Sequence, residues 1–147
     1  MSKINVLIVG AGHYSTGETV LYGKKTTDKD FGVLLPSILA LRSKGLVGTV
    51  AIAGRNGTKL SSLADRITQM SDQHGWDDQV EFYPGPGEID DKAYVKAIQT
   101  LAPPCAVLIA VPDHIHMDVM SCCIENNAPF MVVKPAVTKT DDLYTLL

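Results

Sequence analysis

Five short apolar runs recur along the chain, and a segment of helical period follows each of them. The first, Ile4–Val9, reads INVLIV. Continuous rather than alternating hydrophobicity is what a strand needs when both of its faces are covered. Thr49–Ala53 (TVAIA), Ala106–Val111 (AVLIAV) and Phe130–Val133 (FMVV) repeat that character, while Gln79–Tyr83 (QVEFY) alternates and reads as a more exposed strand. Between them, Val33–Lys44 has helical spacing and stops at Gly45, a C-terminal cap. Thr58–His74 places Leu60, Leu63, Ala64, Ile67 and Met70 on one face. Asp91–Leu101 turns Tyr94, Val95, Ile98 and Leu101 inward, and Ile115–Asn126 is a further helix. Strand and helix in strict alternation predict an α/β fold, a doubly wound and mostly parallel sheet with right-handed crossovers. The 147 residues form a single domain able to bury a real core.

Composition excludes several classes. Hydrophobic residues at 46% and charged residues at 20% are an ordinary globular balance, and a net charge of −3 gives no electrostatic case for nucleic acid or an anionic membrane. The apolar runs are too short to span a bilayer. The N-terminal run passes into a glycine loop rather than a cleavage site, so it reads as a strand and not a signal peptide. Cys105, Cys122 and Cys123 are odd in number and lack framework spacing, which points to reduced thiols and a cytoplasmic protein. The sequence stops within a helix that has just begun at Asp141, so it reads as a piece of a longer protein.

In sheets of this kind ligands bind at the carboxyl ends of the strands, at the switch point of the topology. The unusual residues lie at those ends. After the first strand comes GAGHYSTG, and Gly10, Ala11, Gly12 and His13 are the residues expected to cradle a pyrophosphate. The third glycine of G-x-G-x-x-G falls on Ser15. Gly32 offers itself for that role if a helix starts at Asp30 as N-cap, leaving residues 13–31 as an insertion in the phosphate loop. That segment carries Lys24, Lys25 and Lys29. It reads either as a flap over a cofactor or as a solvated surface loop.

The second strand ends in Ala53-Gly54-Arg55-Asn56, without the acid that binds ribose hydroxyls in an NAD site. Arg55 suits a phosphate, with Lys59 near, so NADP(H) is favoured and NAD(H) possible; the alternative is an arginine that caps a loop in water. Val111-Pro112 ends the fourth strand where the nicotinamide half would pass. His114 and His116 form H-x-H, but no regular ligand spacing follows and no metal is expected. Either histidine caps the helix, packs on the cofactor or donates a proton. The fifth strand ends in Lys134-Pro135, where a charge must be desolvated, paired or put to use, or else reach back to water.

Taken in order, strand-GxG, strand-GRN, strand-VP-x-x-x-H-helix and strand-KP resemble the N-terminal NAD(P)-binding Rossmann domain of the Gfo/Idh/MocA oxidoreductases. That family shows T-P-x-x-x-H and then E-K-P before a threonine-led helix. The counterparts are Val111-Pro112, His116, Lys134-Pro135 and Thr138 or Thr140. The resemblance covers nearly all of the chain. It implies that Lys134 lies at the nicotinamide and substrate and joins proton transfer, and that His116 shapes the pocket. The implied reaction passes hydride between nicotinamide and a hydroxyl-bearing carbon of a sugar or polyol. Val133 departs from the family's glutamate, and the glycine loop is interrupted. The family's second domain, which supplies most of the substrate pocket and the homo-oligomer interface, lies outside this sequence. The piece alone is expected to bind cofactor without turnover. Two other readings are a non-catalytic NAD(P) sensor of the same fold and, more remotely, a methyltransferase or other Rossmann-like domain.

Overall fold

The computed structural model describes residues 2–17 and 31–147. Its strands are β1 (Ile4–Val9), β2 (Val47–Ala53), β3 (Glu81–Tyr83), β4 (Cys105–Ile109) and β5 (Phe130–Val132). They form one five-stranded sheet in the order β3-β2-β1-β4-β5. Every pairing is parallel, with Ile8 opposite both Ile52 and Leu108. The helices are α1 (His13–Thr16), α2 (Leu34–Ser43), α3 (Gly57–His74), α4 (Ala93–Thr100), α5 (His116–Glu125) and α6 (Thr140–Leu146). The expected α/β architecture is therefore present, and the strand order is that of a Rossmann-like fold.

The pleat decides which helix covers which face. Val6 and Ile8 of β1, with Val50 and Ile52 of β2, pack on Leu35 and Leu39 of α2 and Leu60, Leu63, Ile67 and Met70 of α3. Leu7 and Val9, with Ala51 and Ala53, pack on Ala97 and Ile98 of α4 and Val119, Met120 and Cys123 of α5. Leu7, Ile8, Leu39, Ile52 and Val107 are wholly buried, which is why their runs carry no polar alternation. The chain leaves β1 toward one face and β4 toward the other. The crevice between them at the carboxyl edge is the switch point.

Most element ends shift by one or two residues from the sequence expectation, and two regions differ more. The helix after the first strand comes in two pieces. Residues 13–16 are already helical, so the insertion expected over residues 13–31 does not begin at residue 13. The second piece starts at Leu34, capped by Val33 without a side-chain bond; Asp30 lies outside the described residues. Pro36 explains the start, because a proline is tolerated only in a first turn, where no N–H is used within the helix. The amide of Val33 donates to the carbonyl of Tyr14 at 2.8 Å, joining the second piece to the first. Residues 105–109 form a shorter β4 than expected, and a 3-10 turn over Asp113–Ile115 precedes α5.

Cys123 is buried against the sheet, and burial, reinforced by Cys122 and Cys105, pushes its thiol from 9.0 up to about 12. Burial also raises Cys122 and Tyr94. A raised acid holds its proton in the folded chain while the unfolded chain releases it, so this contribution is complete below pH 9 and is lost as pH rises toward about 12. Urea midpoints should fall as pH rises above 9, and Cys123→Ala should show a shallower fall than the parent, whatever its stability at neutral pH.

Candidate functional site

The glycine turn is set by how closely β1 and β4 approach. Gly10 has φ +109°, and a Cβ there would stand 2.3 Å from the Ala110 carbonyl oxygen. Only glycine fits. Its amide donates to the Ala53 carbonyl at 2.8 Å, so the turn is anchored to β2 as well. A Cβ on Gly12, by contrast, would meet nothing within 4 Å among the described residues. The amides of Ser15 and Thr16 donate to the Gly12 carbonyl, and the Thr16 hydroxyl lies 3.1 Å from the Ala11 oxygen and 3.2 Å from that of Gly12. His13 opens α1.

Gly32 was the expected third glycine. In the structure that register belongs to Ser15, fully buried in the first helical turn with its hydroxyl unpartnered. Gly32 (φ +73°) stands instead just before α2. Arg66 of α3 donates to the carbonyls of Thr16 (3.4 Å) and Gly17 (3.2 Å), and its guanidinium lies 5.8 Å from the Phe31 ring centre. One arginine therefore touches both shoulders of the insertion. Lys24, Lys25 and Lys29, expected either on a flap or on a solvated loop, fall outside the described residues.

At the end of β2, Gly54 packs under the glycine turn; its Cβ would lie 3.4 Å from that of Ala11. Asn56 caps α3, its side-chain oxygen accepting from the amides of Thr58 (3.0 Å) and Lys59 (3.2 Å). Arg55 is 73% exposed in its side chain and pairs with Asp91, Nε to Oδ1 at 2.5 Å. The loop between β3 and α4 is clamped here by main-chain bonds, Gly57 N to Glu88 O at 2.8 Å and Asp90 N to Arg55 O at 2.9 Å. The sequence spacing starts a helix at Asp91; in the structure α4 begins at Ala93 and Asp91 lies in the loop, a partner for Arg55 that the sequence did not suggest. The available signal was a pair of acids after β3, which the strand order places beside the end of β2.

On the other side of the switch point, Val111 and Pro112 follow β4, and the Val111 amide lies 3.2 Å from the Cβ position of Gly10. His116 was expected at the pocket. It is wholly buried, with Nε2 2.9 Å from the Val111 oxygen and Nδ1 2.8 Å from the Pro135 oxygen. Carbonyls only accept, so a ring nitrogen bonded to either loop donates its N–H. With both nitrogens facing main chain, His116 positions the ends of β4 and β5 rather than presenting an atom to a substrate. His114 is exposed. Lys134 follows Val133, whose amide donates to Ile109 at 3.0 Å, and it precedes a cis peptide bond to Pro135. Its side chain is exposed to water and makes no ion pair among the described residues. Among the described residues no three His, Cys, Asp or Glu side chains converge as metal ligands, and no helix is long and apolar enough to cross a membrane.

Two substitutions test this construction by urea unfolding. His116→Phe keeps a ring but strips both carbonyls of their partner, and should cost about 3 kcal/mol. Ser15→Ala removes an orphaned hydroxyl and should gain about 1 kcal/mol.

No protein-family model matches the sequence, and no curated protein matches it. Among solved structures the chain is similar to KijD10, a 3-ketoreductase from Actinomadura kijaniata in complex with TDP-benzene and NADP, in an open conformation. The identity is 16% and the TM-score 0.54, over 99% of this chain and 34% of that one. The chain thus spans about a third of the length of the structure it matches, and at this identity the likeness is one of fold.

Proposed function

We propose that this chain is the dinucleotide-binding domain of an NAD(P)-dependent oxidoreductase, with NADP(H) favoured over NAD(H). The observation that carries the reading is the glycine turn at the switch point. Gly10 is forced by the Ala110 carbonyl, while among the described residues nothing stands within 4 Å over Gly12, where a backbone can approach a pyrophosphate. The residues around it fit such a group: Val111 beside Gly10, with Pro112 next in the chain, for the nicotinamide half, and an exposed Arg55 on the β2 side for the 2′-phosphate. KijD10, of similar fold, is described with NADP, which supports the same cofactor class here.

When bound, the nicotinamide supplies hydride exchange. The chain's own residues do the rest. The glycine turn positions the phosphates, Pro112 turns the loop after β4, and Lys134 orients the substrate oxygen, its ammonium giving that oxygen a proton when a carbonyl is reduced and its neutral amine taking the proton back in the reverse direction. His116 holds the loops of β4 and β5 at a fixed spacing, and so sets the distance between Pro112 and Lys134. The substrate reading is a sugar or polyol, with most of its pocket supplied by a second domain of the Gfo/Idh/MocA kind, in the cytoplasm. A non-catalytic NAD(P) sensor is the second reading, supported by the half-buried, apolar Val133 beside Lys134.

Calorimetric titration with NADPH and NADH tests the proposal. NADPH should bind more tightly, and Arg55→Asp should reverse the preference. Gly12→Val fills that space without touching the core, so it should weaken both cofactors at least about tenfold at unchanged melting temperature. Failure of both cofactors to bind, or full binding by Gly12→Val, sinks the reading.

A further inference from the structure

The Arg55–Asp91 pair has features that an incidental surface contact lacks. Asp91 does not reach Arg55 by the strength of the ion pair, since both side chains are well exposed, 73% and 69%, and such pairs are weak. It is delivered by the backbone. The amide of Asp90 donates to the carbonyl of Arg55 itself, and Gly57 donates to Glu88. Asn56 and Ile89 form an antiparallel bridge between these bonds. A Cβ on Gly57 would lie 1.8 Å from the Gly85 oxygen, so the two loops meet more closely than any side chain allows. Neighbouring acids are engaged within the loop, the Glu88 carboxylate accepting from the Gly85 amide and that of Asp90 from the Lys92 amide. Asp91 is the loop acid whose carboxylate is spent on Arg55, and it engages only Nε of a guanidinium with five N–H donors.

Resting on the dinucleotide reading, we propose that Asp91 is a specificity-determining residue, a carboxylate from the β3 side that offsets Arg55 and lets one site take both NADP(H) and NAD(H). A 2′-phosphate brings close to two negative charges to a guanidinium it must share with a carboxylate. That repulsion is worth on the order of tenfold in affinity in a water-exposed setting. An uncharged ribose hydroxyl meets no such opposition and can donate to the same carboxylate. Asp91 thus replaces, from a neighbouring loop, the acid missing from the end of β2.

The test is a pair of dissociation constants, for NADPH and NADH, measured on the 147-residue chain and on Asp91→Asn and Asp91→Glu, with melting temperatures alongside. Asp91→Asn should bind NADPH about fivefold to tenfold more tightly and NADH about threefold more weakly, and Asp91→Glu should restore the parent ratio. A ratio unchanged by Asp91→Asn overturns the assignment while leaving the dinucleotide reading intact. Equal losses for both cofactors with a lowered melting temperature make Asp91 a support of the fold, and overturn it too. If the parent chain binds neither cofactor, the dinucleotide reading fails and takes this inference with it.

Discussion

The close approach of Gly10 to the Ala110 carbonyl governs what surrounds it. The 2.3 Å that a Cβ would have from that oxygen fixes the residue type, the left-handed φ and the direction in which the chain leaves β1. From there α1 must start over the end of β2, and Ala11 must rest on Gly54. The same contact holds Val111 beside the turn, and so sets where the loop after β4 begins. A sheet whose central strands were spaced more widely would need neither glycine nor this loop geometry.

Beyond the last rung of the ladder the strand-end carbonyls lose their sheet partners, and buried main-chain polar groups must find others. Each neighbouring pair of strand ends is joined differently. β3 and β2 are joined by loop-to-loop backbone bonds, β2 and β1 by glycine packing, β1 and β4 by the Gly10 contact, and β4 and β5 by the buried ring of His116. The carboxyl edge is therefore one continuous row of contacts, which holds Arg55, Gly12, Pro112 and Lys134 in fixed order across it.

Much of the fold was legible because burial on both faces writes itself as unbroken apolar runs, and α3 as a stripe of Leu60, Leu63, Ile67 and Met70. Gly10 was legible because a glycine directly after such a run has few other uses. What escaped depends on contacts between elements distant in sequence. The start of α2 turned on Pro36 and on a bond from Val33 back to Tyr14. His116 carries the composition of a catalytic group, and only its burial and its two carbonyl neighbours show it as a support. Arg55 stands exposed after β2, where the sequence places it. Its partner Asp91 is 36 residues away and becomes visible only once the strand order places β3 next to β2.

The bond from Val33 to Tyr14 also bears on how the segment between them is attached. A helix pairs an amide with the carbonyl four residues earlier. In the register of α1, Val33 stands where residue 18 would stand. The helix that follows β1 thus resumes its hydrogen-bonding count after the interruption, as a sentence resumes after a parenthesis. The described residues on either side, Tyr14 and Val33, already meet at helical spacing, so this locus admits segments of very different length between them without re-registering the sheet. Chains with the same core could differ here alone and still share one glycine turn.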